Sequence, residues 1–238
     1  MKVLELFAGS CSFSNVAKER GHKTFTSDYK DFGGIDYVCD ILDFDIDKVP
    51  YKPDLIWASP PCTTFSVAGC FYHWTEDGEP KTEEALKGVQ YILKTLEIIE
   101  KLKPRFYFIE NPRGLMRKKD FMRPYDRATV WYCKYGDIRA KPTDIWSNNI
   151  ANLFNPNGWM PRPRCFNNNK NCHHEAAPRS ATVKKAKEKG IKLTIGGTQA
   201  MKGNHERSKI PKELCVEIIM SAERVMNEDN CRIFTKAY

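Results

Sequence analysis

Short apolar segments typical of β-strands alternate with helical segments through the first 135 residues of this chain. The predicted strands are residues 3–7, 23–27, 36–39, 54–58, 105–109 and 130–134, and the predicted helices between them are residues 12–20 and 82–103. Such alternation is typical of an α/β domain with a mostly parallel sheet, whose ligands bind beyond the carboxyl ends of the strands. Residues that could bind a ligand or take part in a reaction follow five of these strands. They are Gly9, Asp28, Asp40, Cys62 and Glu110. We therefore expect these residues to line one rim of the sheet.

Two helical segments carry apolar stripes that predict which faces are buried. In the helix predicted at 82–103, apolar residues three or four apart form one stripe. Its members are Leu86, Val89, Leu93, Leu96, Ile99 and Leu102. A further helix, predicted at 211–227, carries a stripe of Leu214, Ile218, Ala222 and Val225. Residues 66–81 are expected to be a loop.

The chain has 238 residues and a net charge of +8, and the excess charge lies in one segment. Residues 161–212 contain 13 Lys and Arg against 3 Asp and Glu, a net charge of +10, whereas residues 1–160 sum to zero. A localised basic block is typical of proteins that bind nucleic acid, although a solvated lysine-rich loop would have the same composition. The length predicts one sizeable core with a small appendage. We expect a main domain at 1–146, a small irregular region at 147–206, and a C-terminal helix at 207–238 that returns to the core.

The nine cysteines show no regular spacing. Because the sequence shows no secretory signal and no apolar run near the roughly 20 residues of a membrane span, we expect a cytoplasmic protein with reduced thiols and no membrane partner. Four candidate zinc ligands lie together in the basic segment: Cys165, Cys172, His173 and His174. Their C-x6-C-H-H spacing is not a standard zinc pattern, and adjacent histidines seldom bind one ion. Incidental cysteines and exposed histidines are therefore the favoured interpretation, with zinc as the alternative.

Three segments of the rim carry residue types suited to a reaction on a nucleotide-like ligand. The small-residue loop at Gly9 lets a ligand approach the backbone at a helix N-terminus, and Asp28 is placed to accept hydrogen bonds from ribose hydroxyls. Cys62 follows two prolines that stiffen its loop and is a candidate nucleophile, while Glu110 is a candidate general acid. Taken singly, the aspartates are equally well explained as caps and the cysteine as a buried thiol.

Together, these motifs resemble those of the DNA cytosine-5 methyltransferases, which use S-adenosylmethionine. In the order and spacing of that family the chain carries Leu6-Phe7-Ala8-Gly9 with Phe13, Pro61-Cys62 with Phe65-Ser66-Val67-Ala68-Gly69, and Glu110-Asn111. Asp28 and Asp40-Ile41 match the ribose and adenine acceptors of the family, and Ile210-Pro211 resembles its last motif.

The sequence departs from the family pattern in several places. Cys11 and Ser12 stand where two glycines are usual, Thr63 where Gln is usual, and Pro112 where Val is usual. The Gln-x-Arg-x-Arg strand of the family has no clean copy. Residues 135–144 occupy its place, and this pattern, with Lys141-Pro142-Thr143-Asp144-Ile145-Trp146, is similar to compact phage-type members.

The resemblance implies a Rossmann-like fold and methyl transfer to C5 of cytosine in double-stranded DNA. The base would be flipped out of the duplex and bonded covalently through C6 to Cys62. The implied catalytic residues are Cys62, Glu110 and Arg139, with Lys141 as the alternative cation for cytosine O2. The implied cofactor contacts are Phe7, Ala8, Gly9, Ser10, Asp28, Asp40, Ile41 and Pro60. The implied substrate contacts are Pro61, Ser66, Asn111 and Lys141.

The resemblance also implies that residues 147–206 form a target-recognition region. We expect a monomer that acts in a bacterial or phage-infected cell, in defence, self-protection or preparation of cytosine for further modification. Two alternatives stay open from sequence: the same chemistry on RNA, and a catalytically silent protein that binds DNA or the cofactor.

Overall fold

The computed structural model describes residues 1–67, 69–167, 169–174, 188 and 207–235, with side chains described up to residue 228. The strands are β1 Lys2–Leu6, β2 Lys23–Asp28, β3 Tyr37–Val38, β4 Leu55–Ala58, β5 Phe106–Pro112, β6 Arg127–Trp131 and β7 Pro142–Ser147. The described helices are α1 Ser12–Glu19, α2 Cys70–His73, α3 Glu83–Leu102 and α4 Lys212–Thr235. Across the described residues, no helix combines the length and apolar character needed to cross a bilayer. Much of the predicted region 147–206 lies outside the described residues, so the division into domains stays a prediction.

The seven described strands form one sheet in the order β3-β2-β1-β4-β5-β7-β6. Strands β1 to β5 are parallel to their neighbours among themselves, and β7 runs antiparallel to both β5 and β6. The predicted α/β class with a mostly parallel sheet is confirmed. Since β1 to β5 point the same way, the loops that follow them meet at one rim.

Both faces of the sheet are covered by helices. On one face, α1 and α4 pack against the sheet, and the Phe13 ring stacks on Trp57 with ring centroids 4.6 Å apart. Leu214, Ile218 and Ala222 of α4 are fully buried there, which confirms the stripe predicted for the C-terminal helix. The other face is covered by α3 and by the short turns that follow β3.

The stripe predicted for α3 is confirmed in part: Ile99 is buried and Val89, Leu96 and Leu102 are half-buried against the core, but the first two leucines of the stripe are not. Leu86 and Leu93 are 51% and 46% exposed. The buried positions are Ala85, Gly88, Ile92, Thr95, Ile98 and Ile99. A Cβ at Gly88 would lie 2.8 Å from Thr64 Oγ1, so the helix approaches the loop after β4 through its small residues. Apolar periodicity alone missed this face because its first turns are small rather than apolar. The loop predicted at 66–81 contains one short helix, α2.

The sheet edge beyond β5 also differs from the prediction. A strand is predicted at 130–134, but the observed strand β6, Arg127–Trp131, begins and ends earlier. Tyr132–Tyr135 form a 3-10 turn instead, which ends at Gly136 with φ 83°. Strand β7 was not predicted because its polar residues hide the apolar alternation. Asp144 is fully buried in β7, where it accepts a 2.8 Å hydrogen bond from Arg117 Nε. The buried ion pair explains how a carboxylate is tolerated inside the sheet.

Candidate active site

The loop after β1 and the end of β2 form one side of the rim. Gly9 donates its backbone N–H to Asp28 Oδ2 at 2.8 Å. The other carboxylate oxygen, Oδ1, is buried and has no hydrogen-bond partner among the described residues. Burial raises the pKa of Asp28, and backbone N–H donors, Gly9 first, oppose the shift. A buried acceptor without a partner at a strand end is suited to accept a ligand hydroxyl.

The loop after β1 forms a tight turn although Cys11 and Ser12 replace the two glycines that are usual there. Phe7 and Cys11 adopt left-handed backbone angles, with φ 57° and 49°, and the Cys11 N–H donates to the carbonyl of Ala8. Cys11 therefore takes a conformation that favours glycine. Ser12 Oγ accepts the backbone N–H of Ile210 at 3.2 Å. This bond ties the segment that leads into α4 to the first loop.

Asp40 and its neighbours form the next part of the rim. Asp40 Oδ1 accepts the backbone N–H of Leu42 at 3.1 Å and caps the turn that follows. Its Oδ2 lies 3.3 Å from Lys87 Nζ and 3.4 Å from Tyr91 Oη. Ile41 is buried. Asp40 is thus engaged by protein groups through both oxygens, unlike Asp28.

The loop that carries Cys62 is anchored to the end of β5. Asn111, fully buried, donates its Nδ2 to the carbonyl of Pro60 at 2.9 Å. Leu115 donates its backbone N–H to the Phe65 carbonyl at 2.8 Å, and Ser66 pairs with Gly114. These bonds hold the loop on both sides of Cys62 and so fix where the thiol is presented. Cys62 itself is partly exposed, and Pro61 beside it is exposed.

Position 114 requires glycine because the Cys62 loop packs directly against its backbone. A Cβ at position 114 would overlap the Phe65 carbonyl oxygen, so the backbone must shift to accept any side chain. We expect Gly114→Ala to lower the free energy of unfolding by about 1–3 kcal/mol and to displace the Cys62 loop. Urea unfolding monitored by circular dichroism measures the first effect. An unchanged unfolding midpoint would show that the loop moves at no cost.

Glu110 lies beside the Cys62 loop, in a polar cluster. It is 4% exposed and accepts the phenolic hydroxyl of Tyr132 on Oε1 at 2.8 Å. Lys141 Nζ lies 3.9 Å from the same oxygen and 4.5 Å from the centroid of the Tyr132 ring. Burial and the neighbouring Glu110 raise the pKa of Tyr132 well above its usual range, so its hydroxyl is the donor to the carboxylate. The sequence does not predict Tyr132 as a site residue, because a tyrosine in an apolar segment is usually part of the hydrophobic core.

The charges around Cys62 oppose one another. Burial raises the pKa of the thiol above its usual value, and the charge of Glu110 raises it further. Lys141 and Arg207 act in the opposite direction. In the absence of substrate, the thiol is therefore protonated at neutral pH. Its reactivity depends on the balance between one carboxylate and two cations.

Arg139 and Lys141 have different surroundings. Arg139 is 4% exposed and donates to the Asp137 carboxylate through Nε and Nη2. Its Nη1 donates to the Arg207 carbonyl at 3.0 Å, and its Nη2 donates to the Lys209 carbonyl at 3.2 Å. Lys141 also donates to the Arg207 carbonyl, at 3.2 Å, and approaches Glu110. The Arg139 guanidinium thus fastens the segment before α4, whereas the Lys141 ammonium faces the carboxylate.

A basic cavity lies beside edge strand β6. Its volume is about 570 Å³. The lining residues are Arg113, Arg117, Arg127, Thr129, Trp131, Arg164, Cys165, Phe166 and Asn167. Of the four lining arginines, Arg117 is paired with Asp144, and the other three give the cavity a positive charge that favours an anionic ligand.

The structure regroups the four candidate metal ligands. Cys165, Cys172 and His174 lie together with Cys133, which belongs to the turn after β6. His173 points elsewhere, and its Nε2 lies 3.0 Å from the carbonyl of Asp137. Sequence reasoning missed Cys133 because it lies 32 positions before Cys165 in an apolar segment.

The rim thus combines a carboxylate at Asp28 that could accept a ribose hydroxyl, the Cys62 thiol on an anchored loop, and the buried carboxylate of Glu110. A comparison with protein families decides which family this arrangement represents. Residues 1–123, more than half of the chain, match the family model for C-5 cytosine-specific DNA methylases. The chain belongs to that family.

Two relatives of this chain come from a virus and a bacterium. The chain is 28% identical over 228 residues to a probable DNA (cytosine-5)-methyltransferase of Frog virus 3, an alignment that covers 92% of this chain and 99% of that protein. It is 30% identical over 112 residues to the type II methyltransferase M.HpaII of Haemophilus parainfluenzae, covering 47% of this chain and 28% of that enzyme. Among solved structures, the Entamoeba histolytica methyltransferase EhMeth superposes with a TM-score of 0.53 at 11% identity, covering 95% of this chain and 98% of that one. That likeness shows a shared methyltransferase fold.

Proposed function

We propose that this methylase transfers a methyl group from S-adenosylmethionine to C5 of cytosine in double-stranded DNA, through a covalent bond between Cys62 and C6. The observation that carries the proposal is the anchoring of the Cys62 loop by Asn111, beside Glu110, on the rim that also carries Asp28. A thiol and a carboxylate held together at the ligand-binding end of the sheet can act as a nucleophile and as the group that takes up and delivers a proton.

The residues at the first loop fit the cofactor. Asp28 Oδ1 is a buried acceptor without a partner among the described residues, as a ribose hydroxyl requires. No side chain in the described part of the chain caps the N-terminus of α1, which follows the turn at Ala8-Gly9-Ser10. Pro60 and Ile41, two of the predicted cofactor contacts, are buried. When bound, S-adenosylmethionine would supply an electrophilic methyl group at the rim.

The Cys62 thiol would pass its proton to the Glu110 carboxylate and attack C6 of the flipped cytosine as a thiolate, forming a C–S bond. As this bond forms, the C5–C6 electron pair moves into the C4–C5 bond and the C4–N3 pair moves onto N3, which takes the proton from Glu110, so the charge that develops on the ring is offset. The electron-rich C5 could then take the methyl group of S-adenosylmethionine, which would leave as S-adenosylhomocysteine. Water takes the C5 proton, the C–S bond breaks to restore the C5–C6 double bond and release Cys62 as a thiolate, and N3 returns its proton to Glu110. Pro61 and Ser66 on this loop, and Asn111 of β5, stay predicted substrate contacts.

Asp28 offers a direct test of cofactor binding. Asp28→Asn should weaken S-adenosylmethionine binding by roughly 10- to 100-fold, because a carboxylate that accepts a ribose hydroxyl is replaced by a weaker, neutral acceptor. Isothermal titration calorimetry measures the change. The matched control is Asp31→Asn, three positions away, where the exposed carboxylate accepts only N–H groups of its own turn. Equal affinities of the two variants would remove Asp28 from the cofactor site.

Lys141 and Arg139 are the two candidate cations for cytosine O2. The sequence favours Arg139, whereas the contacts favour Lys141, because Arg139 is committed to Asp137 and two carbonyls. We expect Lys141→Ala to reduce kcat by about 10- to 100-fold and to raise the pKa of Cys62, since a nearby cation is removed. Arg139→Ala should instead lower the melting temperature. If Arg139→Ala lost catalysis without loss of stability, the assignment would be reversed.

Double-stranded DNA is the proposed partner because the basic cavity and the basic segment 161–212 offer phosphate contacts. The test is nucleoside mass spectrometry on a methylation-free bacterium that expresses the chain, with DNA and RNA analysed separately. 5-Methylcytosine in DNA supports the proposal. 5-Methylcytosine in RNA alone would make RNA the substrate. Its absence from both, with folded protein that does not bind S-adenosylmethionine, would favour a silent relative.

A further inference from the structure

Four metal-binding side chains converge outside the proposed active site. Their ligand atoms all lie within 4.8 Å of one another: Cys133, Cys165, Cys172 and His174. Cys133, Cys165 and His174 are buried, and Cys172 is partly exposed. Cys133 comes from the turn after β6, whereas the other three come from the segment that begins the basic block. Residues far apart in sequence therefore meet in one small cluster.

One distance within the cluster matches tetrahedral zinc. With Zn–S bonds near 2.3 Å and Zn–N bonds near 2.0–2.1 Å, a tetrahedral ion places a sulfur and a nitrogen ligand about 3.6 Å apart. Cys165 Sγ lies 3.7 Å from His174 Nδ1. Asn169 Nδ2 lies 3.4 Å from Cys165 Sγ and can donate to a thiolate, as groups around a metal ligand commonly do.

We propose that Cys133, Cys165, Cys172 and His174 bind one structural zinc ion. Three thiolates and one imidazole complete a tetrahedral shell and leave no position for water, which is the pattern of a structural rather than a catalytic site. The few apolar residues around it, Trp131, Ala140 and the cysteines themselves, form a small core that gives little stability of its own. A metal replaces the missing apolar burial.

The ion would join the basic segment to the catalytic rim. Cys133 directly follows Tyr132, whose hydroxyl donates to Glu110. On the other side, Arg164 and Phe166 flank Cys165 and line the basic cavity. Zinc binding would therefore fix the position of the basic cavity relative to Glu110. The cavity is the proposed phosphate contact, and Glu110 is the carboxylate proposed to hold the base. The proposal concerns folding and is independent of methyl transfer.

The first test is metal content. The protein is purified from zinc-supplemented cells, without chelator and under reducing conditions. It should contain about one zinc ion per chain, measured by inductively coupled plasma mass spectrometry. Cobalt(II) added to metal-free, reduced protein should give the visible absorption of tetrahedral cobalt together with a thiolate charge-transfer band. Less than one-tenth of an equivalent of zinc, together with no cobalt spectrum, would overturn the proposal.

Matched variants assign the ligands. His174→Ala and Cys165→Ala should lower the zinc content by at least about threefold. His173→Ala, at the adjacent histidine that contacts Asp137 instead, should retain it, as should Cys70→Ser. Loss of zinc from His173→Ala but not from His174→Ala would overturn the ligand assignment. If a ligand variant fails to fold, the cobalt spectrum of the unmodified protein still decides the proposal.

Discussion

Cys62→Ser is expected to reduce methyl transfer by a factor on the order of 10⁴ or more, because the covalent bond to C6 is the step that activates C5. An alkoxide is far harder to form than a thiolate, and burial already raises the pKa of the Cys62 thiol. The size and polarity of the side chain change little, so the bonds of Asn111 and Leu115 that hold the loop should survive. Nucleoside mass spectrometry of DNA from expressing cells measures the loss of 5-methylcytosine.

The matched control is Cys70→Ser. Cys70 lies at the start of α2 and donates only to the Val67 carbonyl at 3.5 Å. Methylation should remain in that variant, and both proteins should bind DNA with similar affinity. A mechanism without covalent attack would be indicated if Cys62→Ser methylated DNA within tenfold of the unmodified protein.

The rim could be predicted from the sequence because it depends on connectivity. In a parallel sheet, each strand that leads into a loop delivers that loop to the same edge, so Gly9, Asp28 and Glu110 meet whatever the details of packing. The helical face of α4 could be predicted for a related reason, since its apolar residues are large and regularly spaced. The family resemblance rests on these same rim residues, and the match over residues 1–123 confirms it.

Features that depend on close approach could not be predicted in this way. The buried face of α3 is set by Gly88 and Ala85 against the loop after β4, and small residues leave little trace in a hydrophobic pattern. Strand β7 is concealed because its Asp144 is neutralised by Arg117 from another segment. Cys133 joins a cluster through folding rather than through a sequence motif. In each case the deciding partner is distant in sequence.

Glu110→Gln is expected to lower kcat by about 10²- to 10⁴-fold, since the amide can hold the ring but cannot donate the proton that N3 takes up. The same change should make Cys62 more acidic. The charge of Glu110 raises the pKa of the thiol, so its removal lowers that pKa and increases the thiolate fraction at neutral pH. Activity and thiol reactivity are thus expected to move in opposite directions. The measurements are single-turnover methylation and the pH dependence of Cys62 alkylation by iodoacetamide.

Opposite shifts separate a catalytic role from structural damage. Lys141→Ala should move the alkylation profile to higher pH, because it removes a cation that lowers the pKa of Cys62. Tyr132→Phe keeps the carboxylate and removes only the 2.8 Å hydrogen bond to Oε1, so it should have a smaller effect on kcat than Glu110→Gln. A variant that had merely loosened the loop would not shift the alkylation profile according to the sign of the charge removed. If Glu110→Gln left kcat unchanged while the alkylation profile moved to lower pH, Glu110 would be an electrostatic neighbour of Cys62 and not the proton donor.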